Sequence, residues 1–398
     1  MERGRGARLL CLVFALALGA NARVLSAEEQ ALAITPEPEV VSTPITSTYP
    51  GNYDYNFADE EPQRIVVTAT RIPTPVDQVA NSVTVFESGT PGGGTADGSG
   101  ARVYTAGNFE DRQYRTVDEV LKNTPGVTVR QNGGTGTLTS VFMRGMESGR
   151  TLVLLDGMPL NDPSSVGGTF DFGGMTLDNI SQLEVLRGPN STLYGSSASA
   201  GVINLTSKKG KGPFSGYFST EAGSRGTVMS RFGSSAGSDK FDYSFAGSLT
   251  HTDGFSNIDK KRYGFKEKDG YEQGTFSLRL GANPFENLRL DLFANVQEAE
   301  VELDKDNGLL GDDPDYKQRL SRYMIRQQAA LSLFEGRWEQ TIGFGYVQTK
   351  RKYKDQDGAI NGTWPMTSRD KFTGETFKLL GIHLTPPTTT RSVLVYDR

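Results

Sequence analysis

Cysteine and histidine are nearly absent from this sequence. The 398 residues include one cysteine, Cys11, and two histidines, His251 and His383. A single thiol cannot form an intrachain disulfide or a cysteine-based metal site. Both histidines lie far from any serine or cysteine motif, so Ser-His-Asp and Cys-His catalysis have no support in the sequence. We therefore do not expect an enzyme.

Long apolar segments are missing as well. Leu9 to Ala20 is apolar, but it is shorter than the roughly 20 residues that a membrane-spanning helix needs. Arginines precede this run and small residues follow it, which is the pattern of a secretory signal. We expect residues 1–27 to be a signal peptide that is cleaved after Ala22 or Ala27. No other segment reaches spanning length, so a mature chain that crosses a membrane must do so as a β-barrel.

Positive charge is not in excess either. The 42 basic residues face 47 acidic ones, for a net charge of −5, which argues against nucleic-acid binding. Gly133 to Gly136 lacks the Lys-Ser/Thr pair that completes a phosphate-binding loop. Hydrophobic residues make up only 36% of the chain, yet it has 47 glycines, 15 tyrosines and 21 phenylalanines. This balance suits a β-architecture with a polar interior and an aromatic exterior.

Two segments of different character precede the first predicted domain. Residues 28–63 are rich in Pro, Glu, Thr and Tyr without a periodic apolar pattern, which predicts a disordered acidic tail. Residues 64–71 read RIVVTATR, a β-branched run that is followed by Pro73 and Pro75. An extended segment on a flexible tether is what strand addition to a partner requires. The alternative is that this run is the first strand of the domain that follows.

The next part of the chain has the turn chemistry of a small mixed α/β domain. Thr116 and Glu119 have capping-box spacing for a short helix, which Pro125-Gly126 ends. Asp156-Gly157 is a two-residue hairpin signal. Three short apolar runs that end at Gly, Asn or Asp are predicted strands. They cover Val127 to Val129, Ser140 to Met143 and Thr151 to Leu155.

After Lys208 the sequence alternates between apolar and polar residues. The segments KFDYSFAGSLT, NLRLDLFANVQ and RWEQTIGFGYVQ each place apolar or aromatic residues on one face. Short turns at Asn283 to Glu286 and at Glu335-Gly336 alternate with long polar loops at 253–272, 298–321 and 350–371. A soluble β-sandwich also alternates, but short turns on one side and long loops on the other indicate an outer-membrane barrel. We count about nine strands of about ten residues each.

The order of short motifs carries a family resemblance. The series TVDEVL, PGV, QNGG, FMRG, VLLDG, VLRGP, LYG and SASAGVINL resembles the plug domain of TonB-dependent outer-membrane receptors. The segment from QNGG to RG is most similar to the cobalamin (vitamin B12) receptor branch. The resemblance implies an α+β plug domain at 72–208, followed at 209–398 by a transmembrane antiparallel β-barrel. Plugged barrels of this kind have about 22 strands, so we expect the barrel here to be incomplete and the receptor truncated at its carboxyl end.

The resemblance also implies a function and two sets of contact residues. The function is TonB-dependent active transport of a bulky nutrient, with cobalamin as the leading ligand. The alternatives are a ferric siderophore receptor and a non-transporting receptor fragment. Residues 64–71 correspond to the TonB box, whose contacts with TonB are expected at Ile65, Val66, Val67, Thr68 and Ala69. Ligand-facing plug loops are expected at Gln131, Asn132, Ser165, Val166, Gly167, Gly168 and Thr169.

Two further sites follow from the same resemblance. Arg144 and Arg187 each precede a glycine, and in this family such plug arginines pair with glutamates on the barrel wall; the alternative is ordinary surface arginines. The acidic loop around residue 308 is a candidate calcium site, because hard cations prefer carboxylate oxygens. A solvated acidic loop is the alternative. The calcium candidates are Asp304, Asp306, Asp312 and Asp313.

Overall fold

A computed structural model describes eleven stretches of the chain, all of them within one compact unit that begins at Ile65. The stretches are 66–67, 74–75, 82–87, 102–105, 109, 112–255, 268–303, 316–334, 338–355, 368–384 and 392–397. The predicted signal peptide and tail lie outside them, as do Ile65, Thr68, Ala69 and the calcium candidates Asp304, Asp306, Asp312 and Asp313. No helix within these stretches is both long and apolar enough to cross a membrane.

The first half of the structure is a mixed α/β unit, which we call the plug (residues 82–207). Its six-stranded sheet has the order β4-β3-β9-β10-β7-β8, and β5 and β6 form a separate hairpin. The strands are β3 (Ser82–Glu87), β4 (Arg102–Thr105), β5 (Val127–Gln131), β6 (Thr139–Met143), β7 (Thr151–Leu155), β8 (Met158–Pro159), β9 (Ile180–Arg187) and β10 (Gly201–Ser207). The helices are α1 (Val117–Lys122) and α2 (Ser191–Tyr194), with single 3-10 turns at 148–150, 166–168 and 196–198.

Local sequence signals in the plug are confirmed. The backbone N–H of Thr116 donates to the Glu119 carboxylate at 3.2 Å, as a capping box requires. Val117, Val120 and Leu121 of α1 are fully buried. Asp156 and Gly157 both have positive φ, at 48° and 77°, which is the conformation of the predicted hairpin turn.

The second half is a nine-stranded antiparallel sheet, which we call the wall. Its strands follow one another in chain order from β11 to β19. They are β11 (Ser215–Ala222), β12 (Val228–Gly237), β13 (Phe241–Thr252), β14 (Tyr271–Phe285), β15 (Leu288–Glu302), β16 (Lys317–Leu333), β17 (Trp338–Asp355), β18 (Ser368–Leu384) and β19 (Ser392–Asp397).

Five wall strands are longer than the ten residues that we expected. β14 to β18 have 15 to 18 residues each, and much of the predicted loop 298–321 belongs to β15 and β16. About ten residues suffice to cross the apolar layer. The strands continue to pair beyond the length needed to cross the apolar layer. Polar residues there keep the same pairing register, as at Glu302 opposite Lys317.

The wall has two chemically different faces, as the alternation predicted. The inner face, on which the plug lies, carries polar or small residues such as Ser277, Gln297 and Thr349, all buried. The outer face carries exposed apolar side chains and a cluster of rings in which Phe245 lies 6.5 Å from both Phe232 and Phe276. The exposed outer residues include Phe218, Phe241, Leu249, Leu290, Ile325, Ile342, Phe344, Phe377 and Leu379.

Candidate plug-docking and ligand-binding site

The plug packs closely against the inner face of the wall at three glycines. Tyr271 of β14 is 2% exposed; its ring occupies the space that a Cβ atom would need at Gly136, and its hydroxyl occupies that space at Gly174. Further along the wall, Met158 of the plug fills the space beside Gly345 of β17. A larger residue at Gly136 or Gly174 would collide with Tyr271, whereas one at Gly345 would meet the flexible end of Met158.

Polar contacts accompany this packing. Gln273 and Gln297 of the wall both donate to the backbone carbonyl of Gly174, the second at 3.3 Å. Lys378 Nζ donates to the Gly157 carbonyl at 2.9 Å, and Arg279 Nη1 donates to Ser207 Oγ at 3.0 Å. Backbone groups that would otherwise be buried without partners are therefore satisfied across the interface.

Most of the ion pairs between plug and wall place the acid on the plug. Asp162 pairs with Arg351 at 2.8 Å, Asp156 with Arg279 at 3.6 Å, and Asp178 with Arg231 at 4.0 Å. Arg115 is the reverse case, because it pairs with Glu221 of β11 at 2.9 Å. The wall arginines were not identified from the sequence as partners of the plug. The alternation of polar and apolar residues already indicated that they lie on the polar face of their strands.

The two plug arginines that we expected to face the wall lie elsewhere. Arg187 is 6% exposed and donates to the Pro125 carbonyl and to Ser82 Oγ, both at 2.8 Å and both within the plug. Arg144 is exposed, with a φ of 52°. Pairing of these residues with wall glutamates stays a prediction. The ion pairs that are present have mainly the opposite polarity.

Both predicted ligand loops lie at the end of the wall that carries the long loops. The first apex loop, residues 131–138, is closed by hydrogen bonds from Gln131 Nε2 and Thr137 Oγ1 to the Gly134 carbonyl, at 2.7 and 2.8 Å. Gly134 faces Phe255, which follows β13. Asn132 is exposed beside it.

The second apex loop covers residues 162–169 and rests against β17 and β18. Val166 at its tip is 96% exposed, and Gly167 and Gly168 have positive φ. Ser165 Oγ donates to the carbonyls of Asp162 and Thr169, at 2.8 and 3.0 Å. The loop therefore presents its tip to solvent while its base is fixed.

Three aromatic side chains lie at the same end of the wall. Tyr353 is on the inner face of β17, two residues beyond Arg351, and its ring is 6.2 Å from Tyr316 and 6.0 Å from Phe372. Phe372 is opposite Arg351 in the ladder and is 43% exposed. We call Tyr316, Tyr353 and Phe372 the aromatic trio. Sequence reasoning missed it, because predicted loops covered Tyr316 and Tyr353 and ended one residue before Phe372.

A small cavity of mixed polar and apolar lining lies between the plug and the wall. Its volume is about 40 Å³, and its lining includes Asp178, Asn179, Asn295 and Gln297. Burial raises the pKa of the Asp178 carboxyl, against the opposing effect of its hydrogen bonds and of Arg231. Such a volume holds a few water molecules, whereas ligand pockets are roughly 300 Å³ or more. A bulky nutrient cannot occupy this cavity while the plug is seated.

The structure describes part of the predicted TonB box and none of the predicted calcium ligands. Val66 and Val67 form β1, which pairs with β2 at Thr74 and Pro75. Contact of residues 65–69 with TonB stays a prediction. Across the described stretches, no group of three or more His, Cys, Asp and Glu side chains is arranged to hold a metal ion. The calcium candidates lie outside these stretches, so calcium binding also stays a prediction.

Comparisons with known proteins relate the plug to a described domain family. Residues 96–202 match the family model described as the TonB-dependent receptor plug domain. The vitamin B12 transporter BtuB of Vibrio vulnificus is 28% identical over 353 residues, which cover 80% of this chain and 54% of that protein. The chain contains a plug domain of the kind found in TonB-dependent receptors. It spans about half the length of this curated relative, and TonB-dependent receptors are outer-membrane proteins.

Solved structures share the architecture of this receptor. FpvA of P. aeruginosa bound to heterologous pyoverdines has a TM-score of 0.59 and 19% identity, covering 82% of this chain and 43% of that one. The siderophore receptor PirA of Acinetobacter baumannii has a TM-score of 0.53 and 20% identity, covering 79% and 47%. These likenesses confirm the fold class, a plug followed by an antiparallel barrel sheet.

Proposed function

We propose that this receptor takes up cobalamin across the outer membrane in a TonB-dependent manner. The main support is the seating of the plug on the polar inner face of the wall, with both apex loops presented at the long-loop end. The sequence likeness to a vitamin B12 transporter supports the choice of ligand. No covalent chemistry is involved in this function.

The apex loops and the aromatic trio supply groups that suit such a ligand. Amide and hydroxyl groups at Gln131, Asn132 and Ser165 are chemically matched to the amide-decorated rim of a corrin. The aromatic trio offers flat apolar surface for a conjugated ring. Ligand pockets commonly combine apolar walls with a few placed polar groups.

In our proposal the plug moves during transport, because the cavity described between plug and wall is too small for a bulky nutrient. In our proposal the segment Ile65 to Ala69 pairs with TonB by strand addition, since it is β-branched and lies at the amino end of the plug. Force applied there displaces part of the plug. Calcium binding at Asp304, Asp306, Asp312 and Asp313 is a further proposal, since calcium prefers carboxylate oxygens.

Binding of labelled cyanocobalamin to outer-membrane vesicles that carry the receptor tests the choice of ligand. We expect saturable binding that unlabelled cyanocobalamin displaces and ferric siderophores do not. Vesicles without the receptor serve as the control. Saturable binding of a ferric siderophore in place of cobalamin would transfer the proposal to the siderophore alternative, and binding of neither would reject uptake of this nutrient class.

A further inference from the structure

Two acids of the plug meet two arginines of the wall in one buried cluster. We call Asp162, Asp171, Arg322 and Arg351 the quartet; all four are largely buried. Arg351 Nη2 lies 2.8 Å from Asp162 Oδ2, and both arginines act electrostatically on Asp171. Arg322 lies 4.5 Å above the Phe170 ring and donates to Gln297 at 2.9 Å. The formal charges cancel, so the cluster is neutral only while plug and wall stay together.

Asp162 organises the second apex loop. Its Oδ1 accepts hydrogen bonds from the backbone N–H and the hydroxyl of Ser164, at 2.8 and 2.6 Å. Its backbone N–H donates to the Thr169 carbonyl at 3.2 Å, and its carbonyl accepts from the Ser165 N–H at 3.0 Å. One residue therefore closes both ends of the loop and ties the loop to Arg351.

Asp171 organises the first apex loop in a similar way. Its Oδ1 accepts from the backbone N–H groups of Thr139 and Gly173, at 3.0 and 2.9 Å. Gly173 in turn abuts the backbone of the first loop, because a Cβ atom there would lie 2.5 Å from the Thr137 carbonyl oxygen. The position of the first loop thus depends on the carboxylate on which Arg322 and Arg351 act electrostatically.

The arginines have few other partners to hold them. The Nε atoms of Arg322 and Arg351 are buried without a hydrogen-bond acceptor among the described residues. A buried charge that loses its partner is strongly unfavourable. If Asp162 releases Arg351, the two arginines are left with the single charge of Asp171, and the cluster has to rearrange.

We propose that the quartet couples the two apex loops to each other and to the wall. Displacement of either loop then changes the position of the other through the shared arginines. Asp162 and Asp171 are positioning residues in this proposal, because they act through the loops that they hold. Only the role of these loops in ligand capture rests on the proposed function; the coupling itself does not.

Spin labels on the intact receptor in outer-membrane vesicles test the coupling without any ligand. The sequence has no cysteine after Cys11, so a cysteine introduced at Asn132 or at Val166 reports on one loop alone. Asp162→Asn removes the charge and keeps the acceptor for Ser164. We expect this change to raise label mobility at both positions, and Asp171→Asn to do the same. Adding Arg351→Met to Asp162→Asn should restore part of the order, since the one arginine that remains, Arg322, is then matched by the one charge of Asp171.

Arg115→Gln is the matched control, because it breaks a plug–wall ion pair outside the quartet. Both labels should stay as immobile as in the unmodified receptor. A response to Asp162→Asn at Val166 alone would overturn the coupling, and so would equal responses to Asp162→Asn and Arg115→Gln. A failure of cobalamin binding would leave this measurement unchanged, so the two proposals fail separately.

Discussion

Gly174 offers the sharpest test of how tightly the plug is seated. Its φ is +75°, and a Cβ atom there would overlap the Tyr271 hydroxyl. A left-handed backbone costs an ordinary residue about 1–2 kcal/mol, and overpacking of a close contact costs about 1–3 kcal/mol. We therefore expect Gly174→Ala to lower the free energy of plug opening by about 2–5 kcal/mol in total.

Gly145 separates the two contributions to this loss. It has a φ of +77°, and a Cβ atom there would meet nothing within 4 Å. Gly145→Ala should therefore lose only the backbone part, about 1–2 kcal/mol. Tyr271→Phe, which removes the hydroxyl, should recover part of the loss in a Gly174→Ala background, because that hydroxyl has no partner among the described residues.

Amide hydrogen exchange of the receptor in outer-membrane vesicles measures these values. Exchange of the amides in β7 and β10, whose strands pair in parallel at the centre of the plug sheet, reports the free energy of plug opening. Equal losses for Gly174→Ala and Gly145→Ala would refute the close contact with Tyr271. A loss from Gly174→Ala that Tyr271→Phe does not reduce would refute it as well.

Three other expectations concern coupling, pH and ligand contact. Deletion of Ile65 to Ala69 should abolish cobalamin uptake but keep surface binding, whereas deletion of residues 40–44 should change neither; retained uptake would exclude the coupling role. Burial raises the pKa of Asp171 above its ordinary 3.8. Its contribution to plug stability is therefore fully present below that pH and is lost as the pH rises through the folded-state pKa. Asp171→Asn should flatten the dependence of plug stability on pH across this range, with stability measured by hydrogen exchange. An unchanged slope of stability against pH would contradict the assignment. Tyr353→Ala should weaken cobalamin binding by about 1 kcal/mol, roughly fivefold in Kd, while Tyr323→Ala on the outer face should leave it unchanged; equal effects would remove the aromatic trio from the ligand site.

Local sequence signals were sufficient for α1, for β5 to β7 and for the two faces of the wall. The capping box at Thr116 and the turn at Asp156 act over a few residues, so their outcome does not depend on distant parts of the chain. Alternation likewise fixes which face of a strand meets the plug, because the side-chain period of a strand is two.

Contacts between distant parts of the chain could not be predicted in this way. The sequence shows that Asp162 and Arg351 are polar, but only the register of β17 brings them within 2.8 Å of each other. Arg187 was expected to face the wall because a buried arginine needs a partner, and the Pro125 carbonyl serves that need inside the plug. The sequence shows that a buried polar side chain needs a hydrogen-bond partner, whereas the tertiary fold decides which group becomes that partner.

The account rests on movement of the plug away from the wall during transport, and a reversible crosslink tests this most directly. Met158 of the plug and Gly345 of the wall are adjacent, so the double variant Met158→Cys and Gly345→Cys can be joined by oxidation in a chain that has no other cysteine after Cys11. We measure accumulation of labelled cyanocobalamin in cells that carry this variant. The account predicts that the oxidised receptor binds cobalamin without importing it and that a reductant restores import. Unimpaired import through the oxidised, crosslinked receptor would contradict it.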